Sequence, residues 1–207
     1  MVEIIFGTTN QAKLLQVRGA LAPSGIDVRG VENQGFLPEI LEDGKTAIEN
    51  AIKKAKTYSD YLNKPVIAMD NALFLNGLSP EKQPGLNVRR IPGFLSKPTD
   101  EEMIDYYSKL IGSLGDRIGG YWEYGVCIAA PNGKISQTVI TTPRIFVNIP
   151  SSKIEPGYPL ESLQIDPLSN KYVSELSPQE TDDFWQRTIG VELKKFVTDS
   201  FKILWKY

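Results

Sequence analysis

The 207-residue sequence contains no histidine and only one cysteine. Without histidine there is no Ser-His-Asp triad, no imidazole general base and no His-ligated zinc or iron site. The single thiol, Cys127 in the apolar run Gly125–Ala129, excludes an internal disulfide and a thiolate metal cage, and reads as a small buried hydrophobe. A basic surplus is also missing. The net charge of −2 argues against a nucleic-acid polymer as partner, because such binding works by displacing counterions from phosphates. No apolar run approaches the ~20 residues of a membrane span, and no signal peptide opens the chain. The expectation is a soluble cytoplasmic protein with no membrane partner, whose chemistry uses carboxylates, lysine, arginine, hydroxyls and a hard cation.

What is present is an ordinary globular mixture, 41% hydrophobic and 23% charged, enough for one domain with two lobes. Val2–Phe6 reads as a buried strand, broken by Gly7-Thr8-Thr9-Asn10 before a helix that starts at Gln11 and stops at Pro23 and Gly25. Leu14, Leu15, Val17 and Leu21 are its expected apolar side. With Asn10 as N-cap, Lys13 falls at the third helical position, near the positive pole of the helix dipole, with no acid in the first turn to offset it. That placement costs on the order of 0.3 to 1 kcal/mol unless an anion is present. Free backbone N–H groups, the hydroxyls of Thr8 and Thr9, and Lys13 therefore predict an anion cradle, against the alternative of an ordinary solvated lysine.

Ile26–Val31 is a second strand, followed by the acidic connection Leu37–Gly44. A capping box, Thr46 to Glu49, opens a helix whose expected buried face is Ile48, Ala51, Ile52, Ala55, Tyr58 and Leu62. Glu49 thereby has a structural role. Glu39 and Glu42 have none, and are either a surface acidic loop or metal carboxylates opposite Asp70. Asp70 ends the short apolar run Val66–Met69, where Asn71-Ala72 are expected to turn the chain into a second run, Leu73–Leu75. Gln83-Pro84-Gly85 then leads to the pair Arg89-Arg90. Two readings of this stretch stand side by side: a phosphate site with a metal, or a capping acid beside solvated arginines.

Capping boxes at Thr99–Glu102 and Ser177–Glu180 mark two further helices, the last running near Phe196 with Gly190 inside it as a point of close packing or ligand contact. Ile118–Ala130 and Lys134–Ile149 are joined by Pro131-Asn132-Gly133, a hairpin signal. The proline-rich Pro150–Leu168 reads as ordered loop. Early alternation of strands and helices followed by a long hairpin predicts an α/β fold with a mixed sheet flanked by helices.

In order along almost the whole chain, these motifs resemble the inosine/xanthosine triphosphate pyrophosphatase family. Thr8 to Lys13 is similar to its T-G-N-x-x-K, and Leu37-Pro38-Glu39 to its L-P-E. Glu42–Thr46 and Glu49–Ala55 are similar to E-x-G-x-T and E-N-A-x-x-K-A, and Ala68–Leu73 to A-D-D-S-G-L. Pro84-Gly85-Leu86 with Arg90 is similar to P-G-x-x-x-A-R, and Glu175–Pro178 with Arg187 to the closing A-E-L-S and S-H-R.

The resemblance implies an elongated mixed sheet in two lobes with a nucleotide cleft between them, a homodimer, and Mg²⁺ on the substrate's phosphates. It implies hydrolysis of non-standard purine nucleoside triphosphates (ITP, XTP, dITP) to the monophosphate and pyrophosphate. Thr8, Thr9, Asn10, Lys13 and Arg90 would hold the nucleotide, with Lys13 and Asp70 catalytic and Glu39, Glu42 and Asp70 at the metal. The departures are specific. Met69 replaces the first acid of the family pair, and Gln186 replaces the histidine before Arg187. The base-reading loop has two rival matches, Gly157-Tyr158-Pro159 and Ile165-Asp166-Pro167, so that Tyr158 would stack on a base or Asp166 accept from one. Gln186 and Arg187 either contact the base or are ordinary helix residues. A nucleotide-binding protein without turnover is the alternative function.

Overall fold

A computed structural model describes residues 2–31 and 37–204. Its six strands pair in the order β2-β1-β3-β4-β5-β6, where β1 is Val2–Phe6, β2 Ile26–Gly30, β3 Val66–Leu75, β4 Arg117–Ala129, β5 Ile135–Val147 and β6 Gln164–Ile165. β1 pairs in parallel with β2 and β3, whereas β5 and β6 are antiparallel, so the sheet is mixed as expected. The chain divides into two compact units, the first comprising Met1–Asn71, Glu123–Ile140 and Asp182–Tyr207, the second Ala72–Trp122 and Thr141–Thr181.

In the first unit, α1 (Gln11–Leu21) and α2 (Ala47–Leu62) follow the expected signals. Asn10 and Thr46 are their N-caps, each side chain accepting from first-turn N–H groups. The expected faces need correction. Leu15 is 63% exposed while Gln16 is buried, because Leu14, Val17 and Leu21 already set the buried stripe and Leu15 lies about 100° round from it. The buried face of α2 is Ala47, Asn50, Ala51, Lys54, Ala55, Tyr58 and Ser59, with Ile48, Ile52 and Leu62 only partly buried. Ala51 and Ala55 pack on Ala68, Cys127 and Ala129. At Gly125 a Cβ would fall 2.2 Å from Ile48 N, so glycine lets the helix lie directly on the strand. Burial pushes the Cys127 thiol up to about 12, in keeping with a packing role.

β3 is one unbroken ten-residue strand, which overturns the expected turn at Asn71-Ala72. The run holds no Gly or Pro to break it, and partners from two helices satisfy Asp70 inside the strand, so the charge need not sit at a strand end.

The C-terminal helix is also not continuous. α4 (Pro178–Trp185) passes through a π-helical turn, Gln186–Gly190, into α5 (Val191–Leu204). A Cβ on Gly190 would lie 2.5 Å from the Ala20 carbonyl oxygen, so close packing on α1 accounts for this glycine. The β4–β5 turn closes through Gly133 N–H to Ala130 O at 2.9 Å, with Gly133 at φ +79°.

The second unit is built around Leu73, Leu75, Ile91, Phe146, Leu160 and Leu163 with Met103, Ile104, Tyr107 and Ile111 of α3 (Asp100–Gly112). Each such side chain contributes about 1.5–3 kcal/mol on burial. The Thr99–Glu102 capping box is complete, and Ser177 and Glu180 exchange the same reciprocal bonds. Within the expected Pro150–Leu168 loop the chain forms a buried 3₁₀ turn, Pro159–Leu163, and then β6.

Candidate active site

Asp70 is the centre of a buried polar constellation in the first unit, itself 8% exposed. Its alternation with Met69 along β3 puts the two side chains on opposite faces, and Met69 is buried. The first acid of the family pair is thus absent from this chain, and what surrounds Asp70 is a set of donors. Lys54 Nζ donates to Asp70 Oδ1 at 3.1 Å and Asn50 Nδ2 donates to Oδ2 at 2.9 Å. Lys13 Nζ lies 3.8 Å from Oδ1. Lys13 comes from the first turn of α1, and Asn50 and Lys54 lie one turn apart on the inward face of α2, which packs on the strand.

Lys54 also reaches Glu42 Oε1 at 3.0 Å. Its ammonium therefore stands against two of the three carboxylates that the sequence offered as metal ligands. Glu39 is exposed, and among the described residues no three Asp, Glu or Cys side chains gather at one point. Two lysines face two carboxylates, so the site is close to charge-balanced on its own.

The N-terminus of α1 differs from the expected cradle. Asn10 Oδ1 accepts from Ala12 and Lys13 N–H at 3.0 and 3.4 Å, and Thr8 Oγ1 accepts from Asn10 N–H at 3.1 Å. Two of the supposedly free donors are thus taken by the cap itself. Thr9 is exposed and Thr8 partly buried. Glu49 also departs slightly from its expected bond, accepting from Lys45 N–H at 2.8 Å rather than from its cap residue.

Sequence reasoning missed Asn50 and Lys54. The signal was available: two polar residues four apart on an inward helical face need a buried partner, since an unsatisfied buried charge costs several kcal/mol. The bulkier Ile48 and Ile52 drew the face away from them.

At the C-terminal side of the same unit, Gln186 opens the π turn and is partly buried, whereas Arg187 is exposed with its guanidinium carbon 5.2 Å from the Phe184 ring centroid. π-helical turns recur at functional sites, which gives Gln186 a second reason for interest beyond its position in the motif.

In the second unit the arginine pair separates. Arg89 bonds Asp100 at 3.3 Å and the Gly157 carbonyl at 2.8 Å, so it serves the structure of that unit, while Arg90 is exposed. Tyr158 is partly buried at the start of the 3₁₀ turn. Asp166 accepts from Leu168 N–H, Ser169 N–H and Ser169 Oγ at 2.8 to 3.3 Å. Its carboxylate builds the turn that follows β6.

The model of the Ham1 family matches residues 4–189. A dITP/XTP pyrophosphatase of Geobacillus kaustophilus is 25% identical over 90% of this chain and 89% of its own. Another, from Bacillus licheniformis, is 39% identical over 45% of this chain and 46% of its own, so that the alignment spans about half of each. Among solved structures, the Ham1 protein of Staphylococcus aureus superposes with a TM-score of 0.70 at 23% identity, over 96% of this chain and 99% of that one. A HAM1 protein from Coxiella burnetii gives 0.72 at 22%, over 96% and 100%. The two superpositions establish the fold, and with the family match over nearly its whole length the chain belongs to the Ham1 family.

Proposed function

We propose that this protein hydrolyses non-standard purine nucleoside triphosphates of the dITP, XTP and ITP kind to the monophosphate and pyrophosphate. The observation that carries the reading is the buried Asp70 carboxylate held by Lys54, Asn50 and Lys13 on a Ham1 scaffold. Relatives named dITP/XTP pyrophosphatase extend over nine-tenths of the chain. In-line attack by water on a phosphoryl group needs positioning and charge neutralisation more than covalent help. Asp70 orients the attacking water and accepts its proton, and Lys13 and Lys54 offset charge on the phosphate chain. Thr8, Thr9 and Asn10 border that end. Gln186 and Arg187 are the first unit's candidates for contact with the base, and Arg90 and Tyr158 are nucleotide-binding candidates of the second unit.

Asp70 and Glu42 are the residues that would hold Mg²⁺, since oxygen donors suit a hard cation and no imidazole or thiolate competes. Bound there, the metal would neutralise phosphate charge. With two lysines already balancing the two acids, a bare divalent cation would leave the site positive, so the triphosphate is expected to bring it in. Glu39, exposed like Glu42 on the same acidic segment, is a further candidate ligand. A homodimer acting on free nucleotides in the cytoplasm, with no polynucleotide or membrane partner, completes the proposal.

The test is pyrophosphate release with Mg²⁺ from dITP, XTP and ITP beside the standard triphosphates. Preferential turnover of the first group is expected. Triphosphate binding measured by calorimetry with no product from any member of the panel would overturn it in favour of a binding protein without turnover.

A further inference from the structure

We propose that Asn50 is a positioning residue of the site, one amide that fixes the Asp70 carboxylate and ties it to the acidic segment at Gly44. This rests on the reading of Asp70 as the acid of the reaction. Asn50 is 3% exposed, on the first turn of α2. Its Nδ2 donates to Asp70 Oδ2 at 2.9 Å while its Oδ1 accepts from Gly44 N–H at 2.8 Å. The orientation of the amide is unambiguous, because an ionised carboxylate only accepts and a backbone N–H only donates.

The division of labour around Asp70 follows from side-chain length. Oδ1 is faced by the ammonium groups of Lys13 and Lys54, at 3.8 and 3.1 Å. Both are long chains that supply charge without fixing direction. Oδ2 is met by Asn50, whose two χ angles are held by burial and by bonds at both amide ends. Only a helix lying close on the sheet lets so short a side chain reach, and the contact of Gly125 with Ile48 provides that closeness.

Gly44 shows the same requirement from the other side. A Cβ there would sit 2.5 Å from Asn50 Oδ1 and 2.9 Å from Glu49 Cβ. Its φ lies outside the left-handed region, so the glycine is needed for space rather than for backbone freedom. The bond anchors the end of the segment that carries Glu42, which meets Asp70 again across Lys54. Asn50 thus sets the distance between the two acids of the site.

The test is a double-mutant cycle in the full-length protein with Asn50→Leu, Asp70→Asn and their combination, read in turnover and in unfolding. Asn50→Leu is expected to lower kcat about tenfold or more with KM within about threefold, and to add at most about twofold in the Asp70→Asn background. A kcat loss equal in both backgrounds, or a rise in KM alone, would overturn the proposal. Asn50→Asp keeps the shape but loses the donor, and is expected not to restore kcat. Gly44→Ala strikes the link from outside the helix and should lower kcat in the same sense; wild-type kcat from either variant would contradict the assignment.

Absence of any wild-type turnover would remove the functional reading alone. The link is then judged from unfolding, where Asn50→Leu and Asp70→Asn should be non-additive by about tenfold in the unfolding constant, and additivity would refute it.

Discussion

Lys54 donates to Asp70 across 3.1 Å, and the same ammonium lies 3.0 Å from Glu42. A lysine of α2 therefore stands against two of the three acids that the sequence offers for a cation. Lys54→Met removes the charge at similar length and leaves Asp70 with Asn50 and Lys13. Turnover is expected to fall at least about tenfold, and stability by roughly 1–3 kcal/mol, because one partner of a buried ion pair is lost. Steady-state kinetics and urea denaturation check it; unchanged values in both would remove Lys54 from the site.

Lys13 is the more solvated of the two cations, its side chain 20% exposed and 3.8 Å from Asp70. Lys13→Ala should weaken triphosphate binding about tenfold, with a smaller effect on the melting temperature than Lys54→Met, since its ammonium stands 3.8 Å from Asp70, beyond hydrogen-bond reach. Calorimetric titration with a non-hydrolysable triphosphate measures this directly. Wild-type affinity would show that the lysine serves α1 and not an anion.

The two neighbouring arginines are predicted to behave differently. Arg89 holds Asp100 and the Gly157 carbonyl, and Gly157 N–H in turn donates to Asp100 at 3.0 Å. Arg89→Ala is expected to cost about 1–2 kcal/mol in urea denaturation, whereas Arg90→Ala, at an exposed position, should stay within about 0.5 kcal/mol. The reverse order would contradict the structural role given to Arg89.

Much of this was legible in the sequence. The N-caps at Asn10 and Thr46, the boxes at Thr99 and Ser177 and the hairpin at Asn132-Gly133 all follow from local rules. Three features did not. Asn71-Ala72 carries turn-forming character, yet pairing across the sheet keeps β3 extended. The π turn at Gln186 depends on how α4 and α5 meet α1, which no local pattern encodes. Asn50 and Lys54 were hidden because the partner that makes them necessary lies twenty and sixteen residues away along the chain.

Glu161 gives a pH dependence of known sign. Burial first, then nearby Glu155, pushes its carboxyl from 4.5 up to about 8, against the opposing charges of Arg144 and Lys153. The folded state therefore holds this proton more tightly than the unfolded chain does. The corresponding stability is fully present below the unfolded value and is lost as pH rises through the folded one. Glu161→Gln, which stays neutral, should melt above the wild type at pH 9 and close to it at pH 5. Parallel melting curves at the two pH values would show that the buried carboxyl does not titrate in this window.

The most direct measurement is ³¹P NMR of the products formed from dITP by the wild-type protein and by Asp70→Asn, with Mg²⁺ present. The predicted result is deoxyinosine monophosphate and pyrophosphate as the only initial products, with the rate of Asp70→Asn lower by about a hundredfold or more. Orthophosphate with the diphosphate as initial products, or an Asp70→Asn protein as fast as the wild type, would contradict an active site centred on Asp70.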